Sequence, residues 1–178
     1  EPSRRQRQMC IRDRPKAMPK SIQQWFDEYG ESHQNPTNKI IHWICIPLIF
    51  WSIIGLLACI PHDYLQIANA GWVLPYMHWG SVVIALGLLF YIRLSWQLFL
   101  GMALFSAAVL LSIEALMALG TNVLLITSIA VFVVAWIGQF IGHNIEGKKP
   151  SFFKDLQFLM IGPAWLMGFI LKRTGIGY

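Results

Sequence analysis

The stretch "IIHWICIPLIFWSIIGLLACI", residues 40–60, decides the fold class. It contains no Asp, Glu, Lys or Arg, and about 20 apolar residues in a helix cross the ~30 Å hydrocarbon core of a bilayer. Comparable runs follow at residues 76–92, 97–119 and 122–142. We therefore predict an all-α polytopic membrane helix bundle with about four transmembrane helices, built as a single domain over residues 18–178.

Two further segments flank these spans. Ile22, Trp25, Phe26 and Tyr29 recur at i, i+3, i+4 and i+7 after a possible N-cap at Ser21, which predicts a short amphipathic helix on the membrane surface. The apolar run at 156–171 is about sixteen residues long, and Gly162-Pro163 interrupts it near its centre. We expect this run to be re-entrant or interfacial.

Composition supports a lipid-exposed exterior. The chain is 56% hydrophobic and 13% charged, whereas an average soluble domain is roughly 25% charged. Six of the fourteen basic residues lie in 1–17, which we interpret as a non-native or disordered leader. Without them eight basic and seven acidic residues remain, a net charge of about +1. A nucleic-acid partner is therefore not indicated, and the sequence names no protein partner.

The basic residues alternate between the two sides of the predicted spans, and the loop 61–75 has none. They lie before the first span, after the second and after the fourth: Lys20, Lys39, Arg93, Lys148, Lys149 and Lys154. The positive-inside rule then predicts that both termini are cytoplasmic. This places His33, His42 and His143 at the cytoplasmic face, and His62 and His78 at the other.

Three convergent imidazoles are a workable facial set for a divalent transition metal. His42 begins the first span, His143 ends the fourth, and His33 reaches the same level across an Asn35-Pro36 turn. Glu146 follows His143 on the same helix face and is either a fourth ligand or a partner that orients an imidazole. Spacing leaves two interpretations open, a metal site and ordinary interfacial polar residues. For His62 and His78 we favour the interfacial interpretation.

Other polar and aromatic residues have less specific interpretations. Glu114 lies inside the third span and is either functional or a protonated acid bonded to a neighbouring helix, which we favour. Lys148 and Lys149 either anchor the chain at the cytoplasmic face or attract a fatty carboxylate or anionic lipid headgroups, and Lys39 is a further candidate for the carboxylate. Five tryptophans are typical of an aromatic belt at the membrane surface: Trp43, Trp51, Trp72, Trp79 and Trp165.

Three stretches carry a resemblance that covers about residues 21–171. "YGESHQNPTNKIIHWICIPLI" (29–49), "QFIGHNIEGKKP" (139–150) and "LMIGPAWL" (159–166) resemble the 2-hydroxy-fatty-acid dioxygenase family. These small polytopic membrane proteins are known from a yeast enzyme that converts phytosphingosine-derived acids into odd-chain fatty acids. The paired motifs H-x-N-P-x-N-K-x-x-H and G-H-x-x-E are fairly specific together and weak alone.

The resemblance implies an Fe²⁺-dependent reaction with O₂ that removes one carbon from a 2-hydroxy fatty acid, the oxidative step of α-oxidation. It also implies that His33, His42 and His143 are the catalytic metal ligands. The choice of iron over zinc rests on the resemblance, because three histidines alone suit either metal. In the family the acidic residue follows the last histidine by four positions, whereas Glu146 follows His143 by three. The role of Glu146 therefore stays open between ligand and partner.

There are two alternatives, one non-enzymatic and one enzymatic. One is a non-enzymatic membrane protein that binds a metal or a lipid. The other is a di-iron lipid hydroxylase or desaturase, which needs around eight histidines, and the five present argue against it. We expect an integral protein of a bacterial inner membrane, or of the endoplasmic reticulum in a eukaryote, with a cytoplasmic active site among membrane lipids.

Overall fold

The computed structural model describes residues 21–31, 33–65, 71–147 and 160–177. Regular structure in these ranges is helical throughout, with no strand. The described residues form six α-helices, and short 3₁₀ segments lie at Asp63–Leu65 and Gly71–Tyr76. The predicted all-α membrane bundle is therefore confirmed. The expected leader, residues 1–17, lies outside the described residues.

The first helix, α1 (Ile22–Gly30), begins where the sequence pattern places it. The Ser21 hydroxyl accepts a hydrogen bond from the Gln24 backbone N–H, and the Gln24 side chain accepts one from the Ser21 N–H at 2.8 Å. This reciprocal capping box satisfies N–H groups that have no partner inside the helix. Phe26 and Tyr29 are buried, so the amphipathic pattern is confirmed.

In the part of the chain that the structure describes, three helices are long and apolar enough to cross a membrane, namely α2 (Pro36–Ala58), α4 (Trp96–Met117) and α5 (Thr121–Glu146). Between them, α3 (Trp79–Leu94) is apolar but has only 16 residues. At 1.5 Å per residue it is about 24 Å long, less than the ~30 Å hydrocarbon core. The predicted second span is thus present as a helix that is short for a full crossing.

The start of α2 differs from expectation. Asn35 is the N-cap, because its side-chain oxygen accepts from the Thr37 N–H at 2.9 Å and the Asn38 N–H at 3.4 Å. Pro36 occupies the first helical position, where a missing N–H costs nothing. The Asn35-Pro36 pair is therefore a helix start rather than a separate turn, and α2 begins four residues earlier than predicted.

The breaks on either side of α4 are confirmed. Ser95 has an extended backbone, with φ −164° and ψ 132°, and its hydroxyl caps α4 by accepting from the Leu98 N–H at 3.3 Å. At the other end, Gly120 has φ +126° in the tight turn before α5. L-residues with a side chain rarely adopt that angle, so glycine is suited to this position.

The largest helix interface joins α2 and α5, which run antiparallel. Gly138 and Gly142 form a G-x-x-x-G pair on the face of α5 that touches α2. A Cβ atom on Gly138 would lie 2.6 Å from Cys45 Sγ, and one on Gly142 would lie 2.4 Å from Asn38 Oδ1. Small residues at this spacing allow two membrane helices to approach closely.

The last described helix, α6 (Ile161–Arg173), packs against α1, α2 and α4. Pro163 lies in its first turn, where no intrahelical bond from its nitrogen is needed. Gly162-Pro163 thus stands at the start of a helix rather than at a break in the middle of one. Residues 156–159 of the expected re-entrant segment lie outside the described residues.

Candidate metal centre

His33 lies just after α1, and its ring is held by Tyr29. The two rings stack with centroids 4.3 Å apart and planes 17° from parallel. His33 Nδ1 lies 2.6 Å from the Tyr29 carbonyl oxygen. Because a carbonyl can only accept, Nδ1 carries the proton and donates it, so neutral His33 has its lone pair at Nε2.

His42 is held in the same way within α2. Its Nδ1 donates to the Asn38 carbonyl oxygen at 3.0 Å, which again leaves the lone pair at Nε2 in the neutral ring. Fixing one ring nitrogen by a backbone carbonyl is the usual way in which a metal-binding histidine is oriented. Two of the three predicted ligands therefore have the tautomer that presents Nε2.

His143, in the last turn of α5, completes the cluster. Its ring centroid lies 5.1 Å from that of His42 and 5.9 Å from that of His33, while the His33 and His42 rings are 4.3 Å apart. Ligand nitrogens of the three side chains all lie within 4.8 Å of one another, and all three residues are buried. Among the described residues, His33, His42 and His143 form the group of side chains that could hold a metal ion together.

The donor set fits a divalent transition metal on chemical grounds. Metal–imidazole bonds are about 2.0–2.1 Å long, so nitrogens within a few ångströms of one another can share one ion. Three neutral imidazoles carry no charge, and they leave coordination positions for exogenous ligands. Fully buried histidines in such numbers are uncommon in a lipid-facing protein without a shared function.

Glu146 accepts hydrogen bonds from the segment that follows His33. One carboxylate oxygen accepts from the Gln34 N–H at 2.8 Å. The other accepts from the Asn35 N–H at 2.9 Å and from the Asn38 side-chain amide at 2.9 Å. These bonds tie the end of α5 to the loop between His33 and α2. Both roles expected for Glu146, a fourth ligand and a partner that orients an imidazole, stay predictions.

Gly142 makes room for this arrangement. The Asn38 side chain turns its amide N–H toward Glu146 and its oxygen toward Gly142. A Cβ atom at position 142 would lie 2.4 Å from that oxygen and 3.1 Å from the His42 ring. A side chain there would displace the residue that links Glu146 to α2.

Trp165 of α6 is a residue that the sequence patterns did not assign to the site. Its ring lies 5.6 Å from the His33 ring and 5.2 Å from the Tyr29 ring. Trp165 is buried, so it is not a residue of an aromatic belt. The sequence did contain a signal that places Trp165 near the site. The stretch "LMIGPAWL" is one of those that carry the resemblance, and it has no charged residue of the kind that a surface segment would need.

Three lysines were expected near the site. Lys39 lies in the first turn of α2, half-buried, three residues before His42. Lys148 and Lys149 lie outside the described residues. Their role toward a carboxylate stays a prediction.

The remaining polar candidates lie at the opposite end of the bundle. His78 is buried and caps α3 by accepting from the Ser81 N–H through Nδ1. His62 lies 6.2 Å from it, ring to ring. Burial and the neighbouring charge of His62 lower the pKa of His78 to about 4. Glu114 is half-buried near the end of α4, on the same side.

Comparison with known proteins gives a consistent result. The sequence model of the Mpo1-like family, described as 2-hydroxy-palmitic acid dioxygenase Mpo1-like, matches residues 19–174. No curated protein and no solved structure was found to match the chain. The match covers all three histidines, Glu146 and α6, and extends over nearly all of the chain. The protein therefore belongs to the Mpo1-like family.

Proposed function

We propose that this protein is an Fe²⁺-dependent dioxygenase that cleaves 2-hydroxy fatty acids to acids one carbon shorter. The observation that carries the proposal is the buried cluster of His33, His42 and His143, whose ligand nitrogens lie within 4.8 Å of one another. The family description supplies the reaction class and supports iron over zinc. In the net reaction, a 2-hydroxy acid and O₂ give the shortened acid, CO₂ and water.

The role of the three histidines is to hold the metal as neutral donors. When bound, ferrous iron would supply the one-electron chemistry that O₂ needs to react with a closed-shell organic acid. The Tyr29 and Asn38 carbonyls fix His33 and His42 in the tautomer with the proton at Nδ1. The Nε2 atoms of both rings are therefore already available to a metal. Such preorganisation lowers the cost of forming the site.

Glu146 acts in this proposal as a positioning residue rather than a ligand. Its carboxylate accepts three hydrogen bonds from the loop and from Asn38, and charge-assisted bonds of this kind are about twice as strong as neutral ones. The loop that carries His33 is thereby fixed to the helix that carries His143. The Tyr29 and Trp165 rings, which lie beside His33, exclude water from that side of the histidine cluster.

The substrate class agrees with the position of the cluster at one end of long apolar helices. A fatty acid in a bilayer keeps its carboxylate at the level of the headgroups, and its 2-hydroxyl and carboxylate oxygens form a chelating pair. We propose that Lys39, with Lys148 and Lys149, attracts this carboxylate to the site. The distribution of basic residues supports a cytoplasmic active site and cytoplasmic termini, in a bacterial inner membrane or in the endoplasmic reticulum.

Oxygen uptake tests the proposal. The full chain is purified anaerobically in mild detergent, loaded with Fe²⁺, and mixed with 2-hydroxypalmitate in air-saturated buffer. We expect O₂ consumption and equimolar pentadecanoate, measured by gas chromatography and mass spectrometry. Palmitate, which lacks the hydroxyl, and Zn²⁺-loaded protein are the matched controls. Bound metal without O₂ uptake on 2-hydroxy acids of several lengths would contradict the enzyme and favour a metal-binding protein.

A further inference from the structure

A buried amide lies on the face of α5 that carries the metal centre. Gln139 is 5% exposed and lies four residues before His143 in the same helix. Residues three or four apart are neighbours on one helix face, so Gln139 adjoins both Gly142 and His143, one turn further from the end of α5. It therefore lies next to the histidine cluster, on the side nearer to the middle of the span.

Both of these neighbours belong to the metal centre. His143 is a proposed ligand, and a Cβ atom on Gly142 would lie 3.1 Å from the His42 ring. Side chains of a helix lean toward its N-terminus, so the His143 ring covers the turn that carries Gln139. Beyond Gln139 the interface between α2 and α5 becomes apolar. Its buried residues there form a hydrophobic cluster: Cys45, Ile49, Ala135 and Trp136.

The Gln139 amide is not used to join helices. No hydrogen bond links it to another residue that the structure describes. Trp51 shows the usual arrangement of a polar group between membrane helices, because its indole N–H donates to the Ser112 hydroxyl of α4 at 2.7 Å. An amide that is buried without a hydrogen bond is costly. The cost is recovered when a ligand supplies the missing partner.

Several polar groups around the cluster already have their partners. The Nδ1 atoms of His33 and His42 donate to backbone carbonyls, and their Nε2 atoms are available to a metal. The Glu146 carboxylate accepts three hydrogen bonds. The Gln139 amide, in contrast, still offers an oxygen that accepts and an N–H₂ group that donates. A ligand that carries its own O–H donor finds an acceptor in this oxygen.

We propose that Gln139 is a substrate-binding residue, whose Oε1 accepts a hydrogen bond from the 2-hydroxyl group of the acid. This inference rests on the proposed function, since it identifies how that site recognises its substrate class. A 2-hydroxy acid differs from the unsubstituted fatty acid by this one hydroxyl donor. A site that hydrogen-bonds a hydroxyl group discriminates strongly against the analogue that lacks it. The inference makes Gln139 a residue that determines specificity without being a metal ligand.

Ligand binding without turnover tests the role of Gln139. The full chain in detergent is loaded with Zn²⁺, which has no redox chemistry, and titrated calorimetrically with 2-hydroxypalmitate and with palmitate. We expect wild type to prefer 2-hydroxypalmitate. Gln139→Met keeps the length of the side chain but removes the acceptor, so it should bind 2-hydroxypalmitate about tenfold more weakly, as expected for one net hydrogen bond. Its affinity for palmitate and its metal content should not change.

Ser128→Ala is the matched control, because Ser128 is another buried polar residue of α5, eleven positions before Gln139. It should leave both affinities unchanged. Gln139→Asn keeps an amide but withdraws it by about 1.5 Å, so it should also lose most of the preference. This variant tests the proposal independently of the folding of Gln139→Met.

Three results would overturn the inference. An undiminished preference for 2-hydroxypalmitate in both Gln139 variants would do so while leaving the proposed reaction intact. Loss of the metal from Gln139→Met and Gln139→Asn would make Gln139 a support of the centre instead of a substrate contact. Equal binding of the two acids by wild type would contradict the proposed substrate class as well as the role of Gln139.

Discussion

The two groups of histidines at opposite ends of the bundle use the same side chain in opposite ways. In His33 and His42, Nδ1 donates to a backbone carbonyl, so the lone pairs lie at Nε2. In His78, Nδ1 accepts from the Ser81 N–H and serves as a helix cap. The direction of one hydrogen bond thus separates a ring that can bind a metal from a ring that stabilises a helix start.

Removing an imidazole from the cluster is expected to have the largest effect. His33→Ala, His42→Ala and His143→Ala should each abolish retention of about one iron per chain, since two imidazoles bind a divalent ion far more weakly than three. Inductively coupled plasma mass spectrometry on anaerobically purified protein measures this. His62→Ala and His78→Ala are the matched controls and should keep the metal. Equal iron content in all five variants would place the metal elsewhere.

Gly142→Ala is expected to have the next largest effect. The added Cβ would lie 2.4 Å from Asn38 Oδ1, so Asn38 and the His42 ring must shift. We expect metal affinity to fall about 100-fold and stability to fall by about 1–3 kcal/mol, as for other overpacked sites. Competition with a chromogenic chelator measures the affinity.

Gly138→Ala is the control for this change, because it crowds the same helix interface one turn away, against Cys45 Sγ at 2.6 Å. It should lower stability by a similar amount with little loss of metal affinity. An equal loss of affinity in both variants would show that helix separation, and not the contact with Asn38, determines the binding.

Glu146→Gln should lower metal affinity about tenfold, which is within the range of losses caused by substituting residues that hold metal ligands in place. Gln keeps one acceptor oxygen but turns an N–H₂ group toward backbone donors, which weakens the hold on the His33 loop. Ligand geometry distinguishes the two roles of this residue. In Co²⁺-substituted protein, an unchanged visible absorption spectrum in Glu146→Gln supports positioning, whereas a changed one identifies a lost ligand. Glu31→Gln, at the exposed end of α1, is the control.

Acid should weaken the other end of the bundle by a smaller amount. The pKa of His78 is about 4 in the folded protein and about 6.5 in an unfolded chain, so the unfolded chain takes up the proton first as pH falls. Between pH 7.5 and 5.5 we expect a loss of about 1 kcal/mol from this group. His78→Asn keeps a cap acceptor without titrating, and equilibrium unfolding in mixed detergent should show a shallower pH dependence for it. Parallel pH profiles in the two proteins would contradict this role for His78.

Long apolar runs made the bundle predictable, since hydropathy over about 20 residues reports directly on a membrane span. The break at Ser95 and the turn at Gly120 were also predictable, because polar residues and glycine punctuate those runs. The start of α2 was misplaced, because "NPTN" was interpreted as a turn although Asn followed by Pro is equally a helix start. An Asn-Pro pair identifies a helix start only when the residues after it are also recognised as helical.

The site was predictable in its ligands but not in its supports. Sorting histidines by membrane side brought His33, His42 and His143 together, whereas His78 was expected at an interface and is buried. Trp165 and Gly142 could not be assigned from periodicity, because their roles depend on what packs against them from other helices. Contacts of that kind join residues more than a hundred positions apart, and spacing within one segment carries no information about them.

The bonds of Glu146 also have a consequence for biosynthesis. Gln34 and Glu146 are separated by 112 positions, and His33 and His143 by 110. At about 5–20 residues per second, the first two histidines leave the ribosome several seconds before the third ligand and the carboxylate that holds their loop. A nascent chain that stops before α5 therefore lacks one of the three proposed ligands, so a bound metal ion would report that the last long helix has been inserted and docked.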